Sequence, residues 1–258
     1  MARTVVVTGA ASGIGAATRA RLERDGVRVI GVDLAGSDVD ADLATPSGRA
    51  AMVEAVRAAS GGTIDGIVAN AGSAAQSSST VRINFFGAVA TLEGLRPLLG
   101  GSDAPRAVIT SSMASFQAFD EGLVEACLAG DEEAAVAAAE AVISRGEEHL
   151  IYSSTKNAIN RWMRTVAPST DWAGAGIPLN AVGPGVIVTP MTAGFLATEE
   201  GRDMLAQMVP MPLGGNGSAE EVAELLTWLV GPANSMTTGQ VVFIDGGADA
   251  VLRGPTAF

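Results

Sequence analysis

The sequence predicts an α/β protein built on a doubly wound parallel sheet, with helices on both faces. Two observations support this class. Short runs rich in Val and Ile alternate with longer helical patterns, as in β-α-β units. The chain of 258 residues is 48% hydrophobic, which is enough to build a sizeable core. Neither a repeat nor a linker-like break interrupts the pattern, so we expect residues 1–258 to form a single domain.

The predicted strands are the short apolar runs, each bounded by turn residues or by a helical pattern. They cover residues 4–8, 27–33, 64–70, 107–112, 177–182 and 240–245. Near-continuous hydrophobic character, without alternation, is typical of strands that are buried on both faces.

Three helices are predicted from their ends or their periodicity. The first begins near Gly13 and stops at Gly26, a residue type suited to the left-handed C-terminal cap. The second covers residues 80–98, where apolar residues recur at the spacing of one buried face. The third begins where Ser218 and Glu221 match a capping box.

Residues 116–148 interrupt the alternation of strands and helices. They are rich in Ala and Glu, which favour helix, and contain no strand pattern. We expect a helical insertion before the helix that follows it. Further on, Pro168 should end or bend that helix just before Ser169, because proline cannot donate the helical hydrogen bond.

Composition excludes several classes of function. A net charge of −12 with only 16 Lys and Arg residues argues against a nucleic-acid surface. No apolar stretch approaches the 18 residues of a membrane span, and the N-terminus leaves no room for a signal peptide. The single Cys127 excludes an intrachain disulfide and, with the single His149, cannot form a zinc site. We therefore expect a cytoplasmic protein without a metal.

A phosphate-binding turn is predicted directly after the first strand. Gly9, Gly13 and Gly15 precede or open the first helix, where backbone can approach a pyrophosphate and the helix dipole attracts its charge. A tight strand-to-helix turn would also need glycine for steric reasons alone. Asp33, at the end of the second strand, could accept hydrogen bonds from ribose hydroxyls or simply cap a turn.

The residues after Asp33 favour NAD over NADP. Residues 34–40 carry no Arg or Lys to hold a ribose 2′-phosphate, and Asp38 and Asp40 would repel one.

Tyr152 is the only tyrosine of the chain, and Lys156 follows it by four residues. On a helix these side chains lie on the same face, an arrangement that ordinary surface packing also produces. A phenol of pKa ~10 needs roughly 4 kcal/mol of preference for phenolate to reach a pKa near 7. A cation at ~4 Å supplies about that much at an effective dielectric of ~20. Lys156 together with an oxidised nicotinamide could therefore make Tyr152 a general acid and base.

Seven motifs together resemble the short-chain dehydrogenase/reductase family, and the similarity runs along nearly the whole chain. They are Thr8-Gly-x-x-x-Gly13-x-Gly15, "NAG" at 70–72, Asn84 in "RINFFG", Ser112 in "VITSS", Tyr152-x-x-x-Lys156, "NAVGPG" at 180–185 and "IDGG" at 244–247. Each string is weak alone, but their order is specific. The resemblance implies a Rossmann-like fold and an NAD-dependent oxidoreductase acting on an alcohol or ketone.

The resemblance also assigns roles. Tyr152 would exchange the proton, Lys156 would lower its pKa and hold the nicotinamide ribose, Ser112 would orient the substrate oxygen, and Asn84 would place a relay water. The implied cofactor-binding residues are Gly9, Ser12, Gly13, Ile14, Gly15, Asp33, Asp42, Leu43, Asn70, Gly72, Tyr152, Lys156, Gly185, Val188 and Thr189. Purely structural roles are the alternatives to these assignments. Ser111, next to Ser112, could simply be buried and hydrogen-bonded, Asn84 could be bonded to backbone, and Asp42 could stabilise a turn.

Ser112 and Tyr152 lie 40 positions apart (152 minus 112), farther than in most of the family. This spacing is similar to that of the subgroup of bacterial 3α-hydroxysteroid dehydrogenases/carbonyl reductases, which also shares "GIGAATR", "ADL" at 41–43 and the "IDGG-x-DAV" run. In that subgroup the insertion covers a surface that others use to form tetramers. The resemblance thus implies a homodimer, with a tetramer as the alternative.

The substrate pocket is predicted to be hydrophobic, with walls from Met113, Ala114, the insertion and residues 191–211. The last segment contains five adaptable apolar side chains, which suit a hydrophobic ligand or form an ordinary helix core: Met191, Phe195, Met204, Met208 and Met211. The candidate substrates are a steroid, an aromatic alcohol or another hydrophobic alcohol or ketone. Rival functions are a non-catalytic NAD sensor and a self-associating scaffold.

Overall fold

The computed structural model describes residues 2–256 and contains a seven-stranded parallel sheet in the order β3-β2-β1-β4-β5-β6-β9. The strands of this sheet are β1 (Thr4–Thr8), β2 (Arg28–Asp33), β3 (Val39–Asp40), β4 (Gly66–Ala69), β5 (Arg106–Thr110), β6 (Leu179–Pro184) and β9 (Val241–Ile244). Outside it, β7 (Ile187–Val188) pairs in parallel with β8 (Gly217–Ser218). The predicted doubly wound parallel class is confirmed.

Eleven helices are assigned within residues 2–256. They are α1 (Gly13–Arg24), α2 (Pro46–Ser60), α3 (Ser79–Val81), α4 (Ala88–Leu95), α5 (Glu121–Leu128), α6 (Glu132–Ser144), α7 (Leu150–Val166), α8 (Ala193–Leu196), α9 (Glu199–Met208), α10 (Ala219–Val230) and α11 (Ala248–Arg253). A π-helical turn, Arg82–Gly87, joins α3 to α4, and a 3-10 turn, Met113–Phe116, follows β5.

The two faces of the sheet bury separate clusters of apolar side chains. On one face, Ile109 of β5 packs in a cluster with Ile159 of α7 and Leu92 of α4. On the other, Val108 packs in a cluster with Leu226 of α10. Successive residues of β5 therefore point to opposite faces, and both faces are covered by helices. This accounts for the continuous hydrophobic runs in the sequence.

Several predicted ends agree with the structure. Gly26, with a φ of 78°, follows the end of α1, and α10 begins with the complete Ser218 and Glu221 capping box. Helix α7 ends at Val166, two residues before Pro168. The helix predicted over residues 80–98 is instead three helical segments followed by a 3-10 turn, because Arg82–Gly87 adopts π geometry.

Some elements were not among the predicted ones. Strands β3, β7 and β8 have two residues each, too few for a hydrophobic run. Helix α2 has clear local signals: Thr45 caps its N-terminus, Pro46 opens it, and Gly61 ends it with a φ of 70°.

The segment 116–148 contains α5 and α6, each capped by an aspartate side chain. Glu132, the first residue of α6, lies between two arginines: Arg49 of α2 at 2.6 Å and Arg82 of the π turn at 2.8 Å. The Arg49 side chain is only 8% exposed. A nearly buried ion-pair network thus fastens the insertion to two parts of the sheet domain.

None of the helices within residues 2–256 has the length and apolar character needed to cross a membrane. In the same residues, His, Cys, Asp and Glu side chains form no group of three or more that could hold a metal ion.

Candidate functional site

A cleft of about 450 Å³ opens at the carboxyl ends of the central strands. This is the edge at which doubly wound sheets bind ligands, where the strand order reverses between β1 and β4. The predicted site residues that line it are Gly9, Ser12, Gly13, Ile14, Asp33, Asp42, Leu43, Asn70, Gly72, Ser112, Tyr152, Lys156, Gly185 and Thr189. Three others, Gly15, Asn84 and Val188, lie outside the lining.

The glycine turn between β1 and α1 lets the backbone come close to a ligand in the cleft. Gly9 and Gly13 have φ values of 68° and 51°, a region that favours glycine. A Cβ on Gly15 would lie 1.9 Å from the carbonyl oxygen of Gly9, so Gly15 lets helix and turn pack together. Its role is therefore steric support of the cleft rather than lining. The first amides of α1 face this turn with no side-chain cap from Ser12.

Asp33 lies at one end of the cleft, at the carboxyl end of β2. Its carboxylate accepts hydrogen bonds from the backbone N–H groups of Ala11, at 2.9 Å, and Leu34, at 2.7 Å. These bonds fix the carboxylate across the mouth of the glycine turn. Arg19, the nearby cation, is paired with Glu23 at 2.9 Å and with Asp38 at 3.0 Å.

Tyr152, Lys156 and Ser112 meet at the opposite end. Tyr152 and Lys156 project from the same face of α7, and the Tyr152 hydroxyl faces the Ser112 side chain. The Lys156 ammonium donates to the carbonyl oxygen of Thr110 at 2.9 Å and lies 5.6 Å from the centre of the Tyr152 ring. Ser112 also accepts from the Ala114 N–H at 3.1 Å, which begins the 3-10 turn.

Burial dominates the electrostatics of Tyr152 and Lys156 in the protein without cofactor. Burial raises the pKa of Tyr152, and the hydrogen bond with Ser112 offsets this only in part. Burial also lowers the pKa of Lys156 to about 8. Lys156 alone therefore does not bring the phenol near a pKa of 7. A further positive charge in the cleft is needed to favour the phenolate.

Asn84 is buried on the π turn and serves the backbone beneath the site. Its side chain accepts from the Ser73 N–H at 2.7 Å, donates to the Ser73 carbonyl at 2.9 Å and donates to Thr155 Oγ1 at 3.2 Å. The expectation that Asn84 is hydrogen-bonded to backbone is thus correct. These contacts also hold it beside Gly72, at which an added Cβ would lie 3.3 Å from Asn84 Oδ1 and 3.8 Å from Lys156 Nζ.

The prediction omitted three polar side chains that shape the cleft. Thr8 Oγ1 accepts from the N–H groups of Asn70 and Ala71, both at 3.0 Å, and Thr110 Oγ1 donates to Asn70 Oδ1 at 3.0 Å. Thr192 Oγ1 accepts from the Thr189 N–H at 3.1 Å. Polar residues at strand ends are the available signal for the first two; nothing local distinguishes Thr192.

The predicted substrate walls are only partly correct. Met113 and Ala114 are buried and are not among the residues that line the cleft, and Met113 packs in a small core cluster. Met191 lines the cleft, and with Phe195 it also borders an adjoining groove of about 390 Å³. Met191 and Phe195 are 45% and 46% exposed, so this segment is a half-exposed apolar surface over the groove.

Comparisons with known proteins decide the family. Residues 3–124 match the short chain dehydrogenase family, and residues 132–249 match a family described as enoyl-(acyl carrier protein) reductase. The chain is 37% identical to the 3-alpha-hydroxysteroid dehydrogenase/carbonyl reductase of Comamonas testosteroni, over 98% of this chain and 99% of that one. This protein belongs to the short-chain dehydrogenase/reductase family. The expected family and oxidoreductase class are confirmed.

Two further relatives of this short-chain dehydrogenase/reductase are similar over their full lengths. The crystal structure of the 3-alpha-hydroxysteroid dehydrogenase from Pseudomonas sp. B-0831, complexed with NADH, superposes with a TM-score of 0.90 at 40% identity, covering 98% of this chain and 99% of that chain. The cis-4-hydroxycyclohexanecarboxylate dehydrogenase of Sinomonas cyclohexanicum is 31% identical, over 96% of this chain and 97% of that one.

Proposed function

We propose that this protein is an NAD-dependent oxidoreductase that interconverts a hydrophobic cyclic secondary alcohol and its ketone, with a 3α-hydroxysteroid as the first candidate substrate. The observation that carries the proposal is the convergence of Tyr152, Ser112 and Lys156 at one end of a cleft whose other end holds Asp33.

The residues present fit a dinucleotide. Gly9 and Gly13 keep the turn free of side chains, and the N-terminus of α1 offers amides and a dipole to a pyrophosphate. Asp33 uses its oxygens for two backbone bonds and has acceptor capacity left for ribose hydroxyls. Ser12, Ile14, Asp42, Leu43, Asn70, Gly72, Gly185 and Thr189 are the other proposed cofactor-binding residues in the lining, and Val188 and Gly15 would act from behind it.

NAD is favoured over NADP by charge. A ribose 2′-phosphate would meet the Asp33 carboxylate, and Arg19 is already paired with Asp38 and Glu23. NADH is also the cofactor named for the Pseudomonas relative. Initial rates with NAD and NADP at equal concentrations check this preference. We expect NAD to be favoured by at least tenfold in kcat/KM; a preference for NADP would contradict the assignment of Asp33.

The protein groups would manage the proton and the orientation of the substrate. A bound nicotinamide would supply the hydride chemistry, as the acceptor in oxidation of the alcohol and as the donor in reduction of the ketone. In reduction, the protonated Tyr152 donates its proton to the substrate oxygen as negative charge develops there. Ser112 donates a hydrogen bond to the same oxygen and fixes it next to Tyr152. Lys156 stabilises the phenolate that remains.

After reduction of a ketone, Tyr152 would regain its proton through a water that lies beside Lys156. Asn84, held by Ser73 and Thr155, would position a water within reach of Lys156 at the Gly72 turn. Asn84 is therefore a positioning residue.

The substrate class follows from the groove and from the relatives. Met191 and Phe195 give an apolar border to the groove that adjoins the cleft at Ser12 and Gly72. The substrates in the names of the Comamonas and Sinomonas relatives both carry a hydroxyl on a saturated ring. A panel of 3α-hydroxysteroids, substituted cyclohexanols, benzylic alcohols and linear alcohols, followed by NADH absorbance, tests the class. Ring alcohols should have the highest kcat/KM, whereas best turnover of linear alcohols would contradict the proposal.

A homodimer and a cytoplasmic location complete the proposal. Strand β9 forms one edge of the sheet and is half-buried along its length. A second copy could cover this edge. Light scattering after gel filtration should give twice the chain mass of 25.9 kDa; a monomer or tetramer would exclude the dimer. The location rests on the single, buried Cys127 and its fit to a reducing compartment.

A further inference from the structure

Ser111 presents a buried hydroxyl without a hydrogen-bond partner in the protein. Within residues 2–256, five side-chain atoms are buried in this way; they belong to Ser37, Ser111, Asn157, Asn160 and Thr227. Ser111 is the one of the five that lines the cleft, and the residue is only 3% exposed. The expectation that Ser111 is buried and hydrogen-bonded is thus correct for burial and wrong for its hydroxyl.

A buried polar group without a partner is costly. Leaving a hydroxyl unpaired costs roughly 1–3 kcal/mol, and native structures contain few such groups. Alanine at this position would avoid that cost. A hydroxyl kept at the wall of a binding cleft is explained if the ligand supplies the missing partner.

The position of Ser111 indicates which end of the ligand it faces. Its N–H donates to the carbonyl of Val182 at 2.7 Å, which continues the pairing of β5 with β6 beyond Thr110. Ser111 lies between Thr110, whose carbonyl accepts from Lys156, and Ser112, which lines the cleft together with Tyr152. Its hydroxyl therefore borders the Tyr152 end of the cleft.

We propose that Ser111 is a cofactor-binding residue, whose hydroxyl hydrogen-bonds a polar atom of the nicotinamide half of the dinucleotide. This inference rests on the proposed function. It separates the roles of the two neighbouring serines: Ser112 faces Tyr152 and would bind the substrate oxygen, whereas Ser111 would bind the cofactor.

The test compares Ser111→Ala with Thr227→Val. Thr227, on α10, has a buried hydroxyl of the same unpartnered kind but lies outside the cleft lining. Two quantities are measured for each variant: the Kd for NADH, from the change in NADH fluorescence, and the unfolding midpoint of the protein without ligand.

We expect Ser111→Ala to weaken NADH binding about 3- to 10-fold, the equivalent of one neutral hydrogen bond. Thr227→Val should leave the Kd within twofold of wild type. Both variants should unfold without ligand at the wild-type temperature or above it, because neither loses a protein partner.

Three results would overturn the inference. If Ser111→Ala binds NADH as wild type does, the hydroxyl is a tolerated or water-bonded group. If Ser111→Ala unfolds at a clearly lower temperature without ligand, the hydroxyl has a structural partner. If only the substrate KM rises, the hydroxyl serves substrate. Failure of the wild-type protein itself to bind NADH would overturn the proposed function as well, so the two failures are distinguishable.

Discussion

At the scale of single residues, the chemistry depends on how burial changes two titrating groups. Tyr152 and Lys156 share one face of α7, yet burial moves their pKa values in opposite directions: the phenol upward and the ammonium downward. Both shifts favour the uncharged forms. The Tyr152 proton is consequently retained at neutral pH, which suits donation to a ketone.

The raised pKa of Tyr152 predicts opposite pH dependences for the two directions. Alcohol oxidation needs phenolate, so its kcat/KM at saturating NAD should rise from pH 7 toward pH 10. Ketone reduction needs the phenol, and its kcat/KM should be level near neutral pH and fall in the alkaline range. Steady-state rates across this range provide the check. A flat profile for oxidation would argue against Tyr152 as the base.

The lowered pKa of Lys156 predicts a stability effect with a defined sign. Between its folded pKa of about 8 and its ordinary value of 10.5, the unfolded chain binds more protons at this residue than the folded protein does. The unfolding free energy from Lys156 therefore rises with pH across this window. Denaturant titrations of wild type and Lys156→Met should show a stability difference that shifts in favour of wild type from pH 8 to 10. A pH-independent difference would show that Lys156 titrates normally.

At the scale of elements, the site is assembled from strand ends and one helix that packs against them. Thr8, Asn70 and Thr110, at the ends of β1, β4 and β5, are hydrogen-bonded to one another and set the floor of the cleft. Helix α7 then places Tyr152 and Lys156 over that floor, with the ammonium bonded to the Thr110 carbonyl. Local sequence signals at these ends explain why the site was largely predictable.

A nearly buried ion-pair network holds the insertion, and removing its carboxylate should lower the unfolding free energy. Glu132→Ala would leave Arg49 unpaired in a site where its side chain is 8% exposed. Breaking one partner of a buried pair costs about 3–5 kcal/mol, and we expect Glu132→Ala to lose about 3 kcal/mol of unfolding free energy in a denaturant titration.

Glu125→Ala is the matched control for this loss. Glu125 pairs with Arg161 at 2.6 Å, but both side chains are about half exposed, at 57% and 42%. Exposed pairs contribute less than ~1 kcal/mol. Equal losses in the two variants would mean that burial does not set the strength of the Glu132 network.

At the scale of the whole molecule, a doubly wound sheet brings residues from distant parts of the chain to one edge. The sequence predicted this sheet, the glycine turn, Asp33 and the Tyr152 region, because each has a local signal next to a strand or helix end. It did not predict β3, whose two residues gain their conformation only by pairing with β2. Likewise, apolar spacing over residues 80–98 fits an α-helix, and the π turn depends on packing that the spacing does not encode.

Long-range pairing explains the remaining differences. The contact between Glu132 and Arg49 joins residues 83 positions apart, which no local pattern specifies. Met113 was expected among the walls of the substrate pocket, but within the 3-10 turn it packs in a small core cluster with Val186 and Val209. Burial of Lys156 also depends on the assembled sheet, so its lowered pKa could not be predicted from its spacing to Tyr152.

The central claim is that the phenol of Tyr152 transfers the proton in an NAD-dependent oxidation of a ring alcohol. Its most direct test compares wild type with Tyr152→Phe in NADH formation from a 3α-hydroxysteroid, with NADH affinity measured in parallel. The account predicts that kcat falls at least a hundredfold, while the Kd for NADH stays within about threefold, since one proton-transfer group contributes 10²–10⁴-fold. Turnover close to that of wild type in Tyr152→Phe would contradict it.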